Sequence, residues 1–168
     1  MPTDTTDASA APPLVLGSTS PYRRELLSRL RLPFTTAAPQ VDETPLPHET
    51  PAALARRLAL AKAREVAARH PQAIVIGADQ VADLAGEPLG KPGSHERAVA
   101  QLQRMSGQTV VFQTALSVVC LASGFEQSEL APVEVRFRAL DAGEIERYLR
   151  AEQPYDCAGS AKSEGLGI

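Results

Sequence analysis

The stretch Leu14-Val15-Leu16-Gly17-Ser18-Thr19-Ser20-Pro21-Tyr22-Arg23-Arg24-Glu25-Leu26-Leu27 decides the fold class. A short apolar run ending in glycine reads as a buried strand. Hydroxyl residues follow as candidate N-caps, Pro21 suits a first helical turn, and Leu26, Leu27 and Leu30 recur at helical spacing. The segment predicts a strand that feeds directly into a helix over 21–31. The same grammar returns downstream. Thr50-Pro51 opens a second helix, in which Leu54, Leu58, Ala61, Glu65 and Ala68 mark one face to about Arg69, and His70-Pro71 stops it. A second buried strand is expected over 73–77, with Asp79-Gln80 at its C-terminal end.

Further from this core the signals alternate. Residues 34–38 suggest a short extended piece, and 39–47, with three prolines, a loop. Residues 84–87 suggest a turn. Ser94 caps a helix to about Met105, with Gly107 as its left-handed stop. A β-rich run over 109–121, a turn at 122–124 and an alternating strand over 133–137 predict an antiparallel hairpin. Asp141-Ala142-Gly143-Glu144 resembles a capping box for a helix to about Glu152. Helix and strand alternate first and a hairpin follows. The expectation is one α/β domain over 14–168, a mixed β-sheet flanked by helices.

Composition agrees. The chain has 168 residues, 43% of them apolar, with 17 basic against 20 acidic residues and a net charge of −3. That length buries enough surface to fold without a disulfide or metal staple. The charge balance argues against a nucleic-acid partner, which calls for a basic excess. The longest apolar stretches fall far short of the ~20 residues of a membrane span. Residues 1–13 lack the basic and apolar regions of a signal peptide; they read as a disordered tail, and the expected compartment is the cytoplasm. Cys120 and Cys157 form no CxxC pattern, so neither a zinc site nor a disulfide framework is expected.

Ligands of open α/β sheets gather at the C-terminal ends of strands, and three polar clusters fall there. Ser18, Ser20 and Arg23 border a helix N-terminus, where free N–H groups and the positive end of the helix dipole favour an anion. Ordinary capping with solvated arginines explains the same residues. Asp79, just after an apolar strand, is suited to a divalent metal or to activating water, or simply caps a turn. Gly90-Lys91-Pro92 is a Gly-Lys loop but not a Walker A motif, since Pro92 replaces the magnesium-ligating hydroxyl. Asp42-Glu43 lie in the proline-bounded loop, and Lys62 is the one lysine on an arginine-bearing helix. By themselves these read as surface charge. His48, His70 and His95 share no ligand spacing. Residues 159–165 form a Gly-bracketed polar loop suited either to a linker or to ligand contact.

Taken together, Leu16-Gly17-Ser18-Thr19-Ser20-Pro21-Tyr22-Arg23-Arg24-Glu25-Leu26-Leu27, Val41-Asp42-Glu43-Thr44-Pro45, the residues around Lys62, Ile76-Gly77-Ala78-Asp79-Gln80-Val81, Gly90-Lys91-Pro92 and Ala158-Gly159-Ser160-Ala161-Lys162-Ser163-Glu164-Gly165 resemble the Maf family of nucleotide pyrophosphatases, in family order. The resemblance implies a Maf/inosine-triphosphatase-like α/β fold. It implies hydrolysis of a nucleoside triphosphate to the monophosphate and pyrophosphate, with a divalent cation, Mg2+ or Mn2+. It assigns catalysis to Asp79, metal to Glu43 and Asp79, and phosphate binding to Ser18, Ser20, Arg23, Lys62, Lys91 and Lys162. Which acid holds metal and which takes the proton stays open.

An aromatic residue after Ser-Pro, a Gln after the Asp and a Glu in the Lys-Ser-Glu-Gly loop look closest to the branch that prefers 7-methyl-GTP; here they are Tyr22, Gln80 and Glu164. N7 methylation makes guanine cationic, which suits an aromatic face and a carboxylate. The implied role is housecleaning of modified nucleotides. Branches acting on dTTP and UTP, or a non-catalytic nucleotide-binding regulator of septum formation, are the alternatives. A homodimer suits such a fold. Family members continue a few dozen residues past the position of Ile168, so the expected domain lacks its usual C-terminal end.

Overall fold

The computed structural model describes residues 11–163 and 165–167. Most of the expected N-terminal tail, together with Glu164, lies outside the described residues. Strand β1 (Leu14–Gly17) runs into helix α1 (Pro21–Ser28), with Ser20 as N-cap and Pro21 in the first turn. The helix ends three residues earlier than its leucine spacing suggests. Arg29, Leu30 and Arg31 donate to carbonyls three residues back, and Arg31 turns left-handed at φ 55°. A short strand β2 (Thr35–Thr36) follows, then the expected loop.

Helix α2 (Pro51–Arg69) has the predicted Thr50 cap. Its buried face is rotated from the expected one. Leu54 and Leu58 are buried, but the face continues through Ala59, Lys62, Ala63, Val66 and Ala67, while Ala68 is exposed. The cause is close approach to strand β3 (Ile74–Leu84). A Cβ on Gly77 would lie 2.6 Å from the Ala63 nitrogen and collide with the Ala59 carbonyl. Only glycine there lets the alanine side of α2 settle on the sheet.

β3 is much longer than the expected 73–77 strand, and Asp79-Gln80 lie inside it rather than at its end. One edge of its first part pairs in parallel with β1, Gly17 opposite Gly77, while the other edge pairs antiparallel with β5 (Thr109–Cys120) from Val75 to Asp83. Asp79 therefore sits just past the point where β1 leaves the sheet. Ala85 and Gly86, both at positive φ, turn β3 into strand β4 (Glu87–Leu89).

Helix α3 (His95–Met105) ends before Gly107 at φ 70°, as expected. Strand β6 (Phe125–Arg136) starts eight residues before the predicted 133–137 segment and pairs with all of β5. It is a largely exposed edge strand, so most of it has no core face to impose alternation, and the edge position tolerates Pro132. Helix α4 (Ala142–Glu152) carries the full capping box. A 3-10 turn at Ala158–Ser160 follows.

The six-stranded mixed sheet runs β2-β1-β3-β5-β6, with β4 on β3. α2 covers one face, where Val15, Val75 and Val81 meet its alanines and leucines. Ala82, Val110 and Phe112 point to the other face, against Leu102 and Met105 of α3 and Ile145 and Leu149 of α4. The α/β domain with a mixed sheet flanked by helices is thus the observed architecture.

Candidate active site

Strand alternation puts Gly77, Asp79 and Val81 on the α2 face. Asp79 is 6% exposed, and Lys62, also 6% exposed, reaches it with Nζ at 2.7 Å from Oδ1. The same Nζ lies 2.7 Å from Glu43 Oε1, brought over by the proline-rich loop. Lys62 is therefore no surface charge; it is the cation shared by two carboxylates. Burial pushes the Asp79 carboxyl above the usual aspartate range, and Glu43 adds to this, while Lys62 and Arg23 pull it back.

The segment between β1 and α1 closes this cluster. The Ser18 hydroxyl accepts from the Ser20 backbone N–H at 3.1 Å and from Arg23 Nη1 at 3.4 Å, and the Ser20 hydroxyl accepts from the Arg23 N–H. Arg23 faces inward. Burial lowers its pKa, against the upward pull of Asp79 and Glu43. A guanidinium keeps its proton in proteins, so the charge stays. Ser18, Ser20, Arg23, Lys62, Glu43 and Asp79 are thus one cluster. Its cations and hydroxyls stand beside a helix N-terminus that favours an anion.

The base-reading candidates sit apart from it. Gln80 points to the opposite sheet face and donates to the Thr114 hydroxyl at 2.8 Å. Tyr22 carries Lys162 over its ring, Nζ 5.6 Å from the centroid. Burial pushes the Tyr22 hydroxyl up, and Cys157 and Asp156 add to the shift. Lys91 is exposed beyond β4, next to Gly90, whose carbonyl accepts from the Gly159 N–H at 3.3 Å. That bond links the Gly-Lys loop to the loop bearing Lys162.

Four supporting residues escaped the sequence reading. Glu152 pairs with Lys162 at 3.4 Å, and the Tyr148 hydroxyl accepts from the Lys162 backbone N–H at 3.0 Å. Their signal was present: Ile145, Tyr148, Leu149 and Glu152 share one face of α4, and an acid on a core-facing stripe asks for a partner. Arg57 and Glu49, which brace the loop beside Glu43, carry no comparable signal. His95 contacts Tyr155 and Glu146, on the α4 side of the molecule. No third acidic, His or Cys side chain joins Asp79 and Glu43 in a metal cluster among the described residues.

A mixed α/β sheet that gathers cations, hydroxyls and paired acids beside a helix N-terminus, where its parallel strands end, makes this an α/β protein with a candidate anion site. The chain belongs to the Maf family: the model described as Maf-like protein matches residues 13–168. It is 78% identical over 156 residues to a 7-methyl-GTP pyrophosphatase of Polaromonas sp., covering 93% of this chain and 71% of that protein. Proteins of the same name from Albidiferax ferrireducens and Thiobacillus denitrificans are 67% and 58% identical, covering 92% and 94% of this chain and 78% and 79% of theirs. No helix of the described residues is long and apolar enough to cross a membrane.

Proposed function

We propose that this protein is a nucleoside triphosphate pyrophosphatase that hydrolyses 7-methyl-GTP to 7-methyl-GMP and pyrophosphate. One observation carries the reading: a buried ammonium gripped by two carboxylates, beside a helix N-terminus bearing Ser18, Ser20 and Arg23. The names of the relatives support the substrate.

In this reading Ser18, Ser20, Arg23 and the first N–H groups of α1 hold the phosphates, with Lys91 and Lys162 neutralising the outer ones. Asp79 takes the proton of the attacking water. Lys62 holds its Oδ1, and burial makes it more basic than a surface carboxylate. The water oxygen bonds to the α phosphorus, the α–β bridge breaks, and pyrophosphate leaves with the bridging electron pair. Asp79 and Glu43, whose carboxylates converge on the Lys62 ammonium, are oxygen donors that would hold Mg2+ or Mn2+. Bound there, the ion supplies charge neutralisation and polarises the phosphates.

Tyr22 already offers its face to a cation. With Lys162 drawn to the phosphates, a 7-methylguanine ring, itself cationic, takes its place over Tyr22, and Glu164 accepts its N–H groups. Gln80 reads the base edge from the face opposite Asp79. Hydrolysis in oxygen-18 water tests the chemistry. The label is expected in 7-methyl-GMP; label in pyrophosphate, or none, overturns attack at the α phosphorus.

A further inference from the structure

The loop that brings Glu43 to Lys62 is strapped along α2 at three points. Near its start, Arg69 donates to the Ala38 carbonyl at 2.8 Å and Glu65 accepts from the Gln40 N–H at 3.0 Å. Glu43 meets Lys62 in the middle. Beyond it, Arg57 donates through Nη2 to the Thr44 carbonyl at 3.0 Å. The same guanidinium grips both oxygens of Glu49, Nε at 2.6 Å and Nη2 at 2.8 Å. Glu49 also accepts from the Leu46 N–H at 3.0 Å, so the pair fastens two backbone groups of the loop.

The clamp is built for permanence. The Glu49 side chain is only 8% exposed. Its hydrogen bonds to Arg57 and Leu46 lower the carboxyl to about 2, so it stays ionised over the neutral range. Glu43 by contrast is 56% exposed and has Lys62 as its one ion-pair partner among the described residues. Its loop belongs to no strand or helix. Lys62 fixes only the end of the Glu43 side chain, whereas Arg57 fixes the peptide next to it.

We propose that Arg57 and Glu49 are positioning residues of the reaction: their ion pair anchors the Thr44 carbonyl and so holds the Glu43 carboxylate on Lys62 beside Asp79. The inference rests on the reading of Lys62, Asp79 and Glu43 as the reaction centre. Small displacements of a reacting group cost rates of up to about 100-fold, which sets the scale of the effect.

The test compares kcat and KM for nucleotide hydrolysis in Arg57→Ala, Glu49→Gln, Glu43→Gln and the Arg57→Ala/Glu43→Gln double variant. Arg64→Ala is the control, because Arg64 makes a similar two-pronged pair from α2, at 2.7 and 2.6 Å, to Glu126 on β6 instead of to the loop. Both clamp variants are expected to lose about 10- to 100-fold in kcat. Arg64→Ala is expected to keep it. The double variant is expected to be no slower than Glu43→Gln, since nothing is left to position. Arg57→Ala is also expected to speed proteolytic cleavage within 38–49, while Arg64→Ala does not. If Arg57→Ala does not fold, Glu49→Gln against Glu49→Gln/Glu43→Gln carries the same comparison. Losses that multiply in the double variant, or wild-type kcat in the clamp variants, overturn the inference while leaving the reaction centre standing. A fully active Glu43→Gln removes that reading of the centre, and the inference with it.

Discussion

Lys62 Nζ lies 2.7 Å from Asp79 Oδ1, with both side chains almost sealed from water between α2 and β3. Removing Lys62 leaves the buried Asp79 carboxylate without its hydrogen-bonded partner, with only the attraction of Arg23. Lys62→Met is expected to cost about 3–5 kcal/mol of stability at neutral pH. Burial holds the folded-state pKa of Asp79 above its unfolded value, and losing Lys62 raises it further. The penalty falls on the ionised form, so it is largest above the folded pKa and fades as pH drops toward the unfolded one. Denaturant titrations at neutral and mildly acidic pH should show the gap to wild type narrowing in acid; a constant gap contradicts the assignment.

The carboxyl itself can be followed. In the metal-free protein, a carbon-13 titration should place Asp79 above the usual aspartate range and move it higher in Lys62→Met. A general base is lost when protonated, so kcat/KM should fall as pH drops through that raised value. Asp79→Asn is expected to reduce turnover about 100- to 10,000-fold with the fold retained. Near-normal turnover would remove Asp79 from the chemistry.

Gly77 sets how closely α2 approaches the sheet. In Gly77→Ala the new methyl would stand 2.6 Å from the Ala63 nitrogen, so backbone must move. A loss of about 1–3 kcal/mol or more is expected, with turnover falling as Lys62 is lifted from Asp79. Gly17→Ala meets its nearest atoms at 3.3 Å and should be milder. Thermal melts of the two variants check the order.

Tyr22 should set the preference for a methylated base. A cation over an aromatic ring is worth ~0.5–2 kcal/mol, so Tyr22→Ala is expected to shrink the ratio of kcat/KM for 7-methyl-GTP over GTP by about 2- to 30-fold. An unchanged ratio would place the discrimination elsewhere.

Local chemistry made much of this legible. The caps at Ser20, Thr50, Ser94 and Asp141 all form as their sequences suggest, because a cap depends on residues within one turn. The clustering of Ser18, Ser20 and Arg23 followed from the strand-to-helix junction. What failed depends on distant partners. Lys62 reads as surface charge until Gly77 is seen to admit α2 to the sheet, which brings Lys62 to Asp79, seventeen positions along the chain. β3 runs past Asp79 because β5, far along the chain, pairs with it. β6 is longer than its alternation because β5 fixes an exposed edge by backbone hydrogen bonds, which leave little hydrophobic signature. The Arg57–Glu49 clamp joins a loop to a helix, and neither segment announces it.

Pyrophosphate release from 7-methyl-GTP, GTP, dTTP, UTP and CTP, with Mg2+ or Mn2+, distinguishes a pyrophosphatase from a nucleotide binder and reveals the base it prefers. Turnover is expected to be strongest with 7-methyl-GTP and at least about 100-fold weaker in Asp79→Asn. Preference for dTTP or UTP would contradict the base reading while keeping the pyrophosphatase. Binding of nucleotide without release of pyrophosphate would contradict the enzyme itself.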